Sequence, residues 1–75
     1  RAQNLDLRLV GTVQEAGHSM AMFQKGDGTI EICPKGQSID NGGHRIKVTR
    51  VGRREVTIDY RGQARTLTLP REEER

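Results

Sequence analysis

The chain has no tryptophan, one phenylalanine, one tyrosine, one cysteine and two prolines in 75 residues. Each scarcity narrows what the protein does. A single cysteine, Cys33, excludes an intramolecular disulfide, and a lone thiol says little about redox compartment. Phe23 and Tyr60 are the only Phe, Tyr or Trp rings on which a base could stack, whereas sheets that read single strands depend on such platforms. No apolar run reaches the roughly 18 residues of a membrane helix, and no signal-peptide core is present. No stretch carries a helical apolar period of useful length. Apolar residues make up 32% of the chain and charged residues 31%, so the core is thin. At ~0.05–0.15 kcal/mol per residue, one domain of this size is stable by about 4–11 kcal/mol at most. Because it opens on Arg1 rather than methionine, the chain is expected to be a piece of a longer protein whose anchor lies outside it.

What the sequence does have is alternation with period two, punctuated by nine glycines. In "LDLRLVGTV", Leu5, Leu7, Leu9, Gly11 and Val13 alternate with Asp6, Arg8, Val10 and Thr12. Gly11 there suggests a bulge or the close approach of another backbone. "QEAGHS" reads as a turn, "MAMFQ" as a second strand, "KGDG" as a tight hairpin and "TIEIC" as a third strand that Cys33 closes before Pro34. Residues 34–43 read as an irregular connection, with Ile39 plugged onto the core and the chain crossing between sheets. "RIKVTRV", "EVTIDY" and "QARTLTL" supply three more strands, and Pro70 ends the pairing. The expected fold is all-β: a small six-stranded antiparallel β-sandwich or semi-open barrel over residues 5–70, followed by a charged linker at 71–75. The expected core is Leu7, Leu9, Val13, Ile30, Ile32, Ile46, Val56, Ile58, Leu67 and Leu69.

The net charge of +3 is unevenly spread. Residues 1–43 carry four Lys/Arg against five Asp/Glu, and residues 44–65 carry seven against two, a local excess of +5. A basic hairpin in a small β-protein raises nucleic-acid binding as a reading from another class. Its cations alternate with Thr and Asp, as on a solvated face, and the aromatic platform is missing, so no nucleic-acid partner is expected.

Catalysis has little to stand on. Cys33 closes a strand, while His18 and His44 sit in glycine-flanked turns, so no nucleophile–base pair is indicated. The same three residues lack the fourth ligand and the paired spacing of a zinc site. "GDGTIE" has no alternating oxygen ligands before its glycine, as a calcium loop requires. "KGDG" and "DNGG" lack the strand-to-helix setting and trailing Lys-Ser/Thr of phosphate loops. No enzyme activity, metal or cofactor is expected.

In order and spacing, Leu9-Gly11-Val13, Ala21, Gly36-Gln37-Ser38-Ile39, Gly42-Gly43, Ile46 to Val51, Val56 with Ile58, Gly62 and Leu67-Leu69-Pro70 resemble the homology region of type II secretion system inner-membrane protein C (GspC). The likeness runs from about residue 5 to residue 70. Gln37 stands where that family usually has Asp, and Pro34 interrupts the approach to the same loop. The related domain of the type IV pilus lipoprotein PilP is similar over the first half, and the Arg61-Gly62 turn and Leu-x-Leu-Pro ending favour the secretion protein.

The resemblance implies a non-enzymatic adaptor in the periplasm of a Gram-negative bacterium. A membrane helix would precede the domain in the full protein, anchoring it to the inner membrane beside other secretion components. The implied partner is the N-terminal periplasmic domain of the outer-membrane secretin. The opening strands are expected to carry that contact through Val10, Thr12, Gln14, Ser19 and Met20, with Val10 and Thr12 on the face opposite the leucines. Arg53, Arg54 and Arg61 would serve as an electrostatic guide.

Overall fold

The structure, a computed structural model, describes residues 6–70; Leu5 and the expected linker at 71–75 lie outside them. Seven strands form two antiparallel sheets: β1 (Arg8–Glu15), β2 (His18–Gln24), β3 (Ile30–Pro34), β4 (Ser38–Asn41), β5 (His44–Val51), β6 (Glu55–Tyr60) and β7 (Gln63–Thr68). The first sheet is ordered β1-β2-β3 and the second β4-β5-β6-β7, and no helix occurs among the described residues. The all-β expectation holds, with one strand more than the sequence suggested.

The additional strand is β4, inside the segment expected to be irregular. Ser38-Ile39-Asp40-Asn41 does alternate, and it folds back on β5 with Ile39 opposite Ile46 and Asn41 opposite His44. Gly42 and Gly43, at φ 63° and 87°, make the two-residue turn that only left-handed conformations close with the right twist. Ile39 is buried as expected. The crossing between sheets is confined to residues 35–37, where the Gly36 amide donates to the Val48 carbonyl (2.7 Å) and the Val48 amide to the Gln37 carbonyl (2.9 Å).

Two register shifts decide which side chains face inward. In β1 the pairing steps from Leu9↔Phe23 to Gly11↔Met22, leaving Val10 as the extra residue. Side chains flip faces across such a step. Leu7 and Leu9 point into the core, but beyond the step Thr12 and Gln14 point inward and Val13 outward. The Thr12 hydroxyl donates to the Arg53 carbonyl (2.8 Å), and the Gln14 amide donates to the Val51 carbonyl (3.2 Å). In β5 the shift falls at Thr49, and it brings Val51 inward three residues after Val48.

The core packs Leu7, Leu9, Ala21, Phe23, Cys33, Ile39, Ile46, Val48, Val51, Val56, Ile58 and Tyr60, with Leu67 and Leu69 half-buried against it. Three expected members are displaced. Val13 is only half-buried, on the outer side of the β1 step. Ile30 and Ile32 are 53% and 54% exposed, because β3 pairs Cys33 with Ala21 and Glu31 with Phe23, which turns Cys33 rather than the isoleucines inward.

Candidate interaction surface

Cross-strand partners share a face, so the outer surface of the first sheet can be read in rows. Arg8, Gln24 and Ile30 form one row; Gly11, Met22 and Ile32 the next; Val13, Met20 and Pro34 the third; Glu15 and His18 close it. The two middle rows are wholly apolar. Gly11 has a local reason for lacking a side chain: a Cβ there would lie 3.3 Å from the Met22 sulfur, which rests across the glycine. With the bulged Val10 39% exposed beside them, these residues make a continuous apolar stripe facing solvent. Methionines at its centre give it a shape that can adjust. At the Met20 end the stripe runs into a depression of about 510 Å³ lined by Glu15, Gly17, His18, Ser19, Met20, Pro34 and Lys35.

The five expected contact residues therefore divide. Val10 and Met20 lie on this outer surface; Ser19, opposite Gln14, alternates to the inner side near the end of β2, where it lines the depression. Thr12 and Gln14 instead fasten the two sheets together, so the expectation that Thr12 shares a face with Val10 is corrected by the register shift.

The three guide arginines divide as well. Arg53 and Arg54 occupy the turn before β6; the Arg54 carbonyl accepts the Leu69 amide (2.8 Å), and its guanidinium donates to the Pro70 carbonyl (3.3 Å). Arg61 sits in the turn after β6, 5.7 Å from the Tyr60 ring centroid, with Arg65 at 5.5 Å from the same ring. At about 3.3 Å per residue, the six residues of β6 hold these two groups roughly 20 Å apart. Between them the outer face of the second sheet carries Asp40, Glu55 and Asp59 among Arg45, Lys47 and Arg50. The basic region is thus a mixed surface with cations at both ends.

Of the two aromatic side chains, Phe23 is fully buried and Tyr60 nearly so, with His44 edge-on to it at 5.4 Å. Cys33 is buried in the core, where desolvation pushes its thiol above the ordinary value of 9.0. Among the described residues no three His, Cys, Asp or Glu side chains gather as a metal site, and no buried side-chain nitrogen or oxygen lacks a partner. No family model, curated protein or solved structure matches this chain.

A feature that sequence reasoning missed lies where β2 turns into β3. Lys25 bonds the Glu31 carboxylate (2.9 Å) and the Asp40 carbonyl (3.2 Å). The bond to Glu31 is the main reason its ammonium pKa is raised, and Asp27 and Asp40 add to it through space. Asp27 accepts the Thr29 hydroxyl (2.7 Å) and amide (3.0 Å), which lowers its carboxyl pKa. The signal was present in the sequence as Lys-Gly-Asp-Gly-Thr, but its proximity to Asp40 depends on how the sheets meet.

Proposed function

We propose that this domain is a non-enzymatic protein–protein interaction module whose working surface is the outer face of the first hairpin. The observation that carries the reading is the apolar stripe of Val10, Val13, Met20 and Met22, continued onto β3 by Ile32 and turned to solvent in a chain that is only 32% hydrophobic. A contiguous apolar surface with a polar rim is what a binding partner covers. Its rim here is Arg8, Gln24, Glu15 and His18.

The sequence resemblance supplies the partner. In this proposal the domain belongs to an inner-membrane component of a type II secretion system, works in the periplasm and binds the N-terminal periplasmic domain of the secretin. Val10 and Met20 belong to the dry centre of that interface and Ser19 to the depression at its end. Thr12 and Gln14 serve it indirectly, by holding β1 against the second sheet. Arg53 and Arg54 lie at the end of the molecule where β1 and the second sheet meet, and they act on encounter rather than on the bound state.

Titration calorimetry of variants against the secretin domain tests this. Val10→Asp is expected to weaken binding more than tenfold by placing an unpaired charge in the interface, with the fold unchanged because Val10 is the unpaired residue of the bulge. Reversing Arg53 and Arg54 to Glu is expected to slow association and flatten its salt dependence, with little effect on dissociation. The opposite ranking would move the site to residues 51–65. Salt-sensitive binding of random single-stranded DNA, unaffected by Val10→Asp, would replace the reading altogether.

A further inference from the structure

The opposite edge of the first sheet carries a second surface, which stands whether or not the first hairpin binds a secretin. β3 is the last strand of its sheet. Main-chain groups of alternate residues point to alternate sides of a strand. The Lys35 amide donates to the Ser19 carbonyl (2.9 Å), so Glu31, Cys33 and Lys35 face β2, and Ile30, Ile32 and Pro34 face the open edge. Pro34 has no N–H, and its carbonyl accepts the Gln37 amide (3.0 Å). Among the described residues no main-chain bond reaches Ile30 or Ile32 from this side. Their side chains are also more than half exposed, on the outer face.

The edge is ill-suited to a second copy of itself. A two-fold antiparallel pairing of Ile30 with Ile32 sets Glu31 directly opposite the other copy's Glu31, and like charges so placed repel. Shifting the centre to Ile32 sets Ile30 opposite Pro34, which cannot donate. Short strands, prolines and inward-pointing charges are the usual guards of an edge against self-pairing. They do not guard it against a strand of complementary chemistry. At this corner Lys25 bonds the Glu31 carboxylate and the Asp40 main-chain carbonyl, and the charges of Asp27 and Asp40 act on it through space, so carboxylates outnumber the lysine although the whole chain is basic at +3.

We propose that the β3 edge accepts an extended basic segment of a partner protein as a fourth strand, with a Lys or Arg beside Glu31 and apolar residues beside Ile30 and Ile32. Main-chain bonds to Ile30 and Ile32 give the affinity, and the charge beside Glu31 gives the selection. Lys25 engages one carboxylate oxygen of Glu31, and the incoming cation takes the other.

The test uses the full 75-residue chain labelled with ¹⁵N and two acetylated, amidated probe peptides, Val-Lys-Val-Lys-Val and Val-Glu-Val-Glu-Val. At millimolar lysine peptide, hydrogen exchange at the Ile30 and Ile32 amides is expected to slow at least tenfold, while the β1-edge amides of Thr12 and Gln14 are unchanged. The glutamate peptide is expected to bind at least tenfold more weakly. Glu31→Lys should invert that preference. Ile32→Pro should abolish protection at Ile30 without loss of a β2 bond, because the amide it removes points outward. Absence of protection, equal response to both peptides, protection at β1 or β7 instead, or concentration-dependent protection of β3 without peptide would each overturn the proposal. None of these results bears on Val10→Asp, so the two readings fail separately.

Discussion

Truncating Ile58 and Ile32 to alanine makes the same chemical change at two isoleucines of alternating strands, and the fold requires very different costs. Ile58 is wholly buried between the sheets. Removing three carbons at ~0.8 kcal/mol each forfeits about 2.4 kcal/mol of transfer energy. The cavity left behind raises the total to roughly 3–4 kcal/mol, inside the usual range for such truncations. A 75-residue domain has about 4–11 kcal/mol to lose. At ~4–8 °C per kcal/mol, Ile58→Ala should lower the melting temperature by at least about 12 °C or leave the chain unfolded. Ile32 is 54% exposed and encloses no cavity. It should forfeit about half the transfer term, near 1 kcal/mol, and melt within about 8 °C of the parent. Thermal unfolding followed by circular dichroism, with urea titration as a check, reads both. Equal losses at the two sites would refute the assigned register of β3. A mild Ile58→Ala would refute the inward face of β6.

Further outcomes follow from the inter-sheet bonds and the titrating groups. Thr12→Val removes the hydroxyl bond to the Arg53 carbonyl but leaves an exposed acceptor that water can serve, so urea unfolding should register a loss below ~1 kcal/mol; a larger loss would mean that water does not reach the freed carbonyl. Asp27 should titrate below its ordinary 3.8 in carboxyl NMR, because the Thr29 hydroxyl and amide favour the charged form. A depressed folded pKa contributes stability that is present above the unfolded value and lost as pH falls through the folded one, so Thr29→Val should bring the midpoint back toward 3.8. Burial raises the Cys33 thiol and hides it, so iodoacetamide should label the native chain far more slowly than the chain in urea. Labelling at equal rates would place Cys33 outside the core.

Fold class was legible because tight turns and period-two runs leave little else for a chain of this length. The inner face of β6 was equally plain, since Val56, Ile58 and Tyr60 alternate without interruption. β4 was obscured by composition: glycine and proline around Ser38–Asn41 outweighed an alternation of four residues that the Gly42-Gly43 turn makes workable. The shift in β5 has a trace in the sequence, because Val48 and Val51 are three apart and cannot share a face without an extra residue. In β1 Gly11 marks the bulge that the sequence suggests, but the alternation does not show that the residues beyond it change faces. Leu7, Leu9, Gly11 and Val13 alternate without a break, yet the bonds from Thr12 and Gln14 to the second sheet and the Met22 sulfur over Gly11 belong to the stepped register. β3 misled in the same way. Ile30 and Ile32 look like core by hydrophobicity, while the choice between them and Cys33 is made by pairing with Ala21 and Phe23, residues distant from any local pattern. Together these two features conceal the stripe on the outer face of the first sheet.

The proposed function stands or falls with protein binding at the outer face of the first hairpin. Adding the N-terminal periplasmic domain of a type II secretin, the proposed partner, to the ¹⁵N-labelled chain and mapping amide shifts tests it most directly. Saturable changes centred on Val10, Val13, Met20 and Met22, lost in Val10→Asp, are expected. Absence of any shift at high concentration, or shifts confined to residues 52–65, would contradict it.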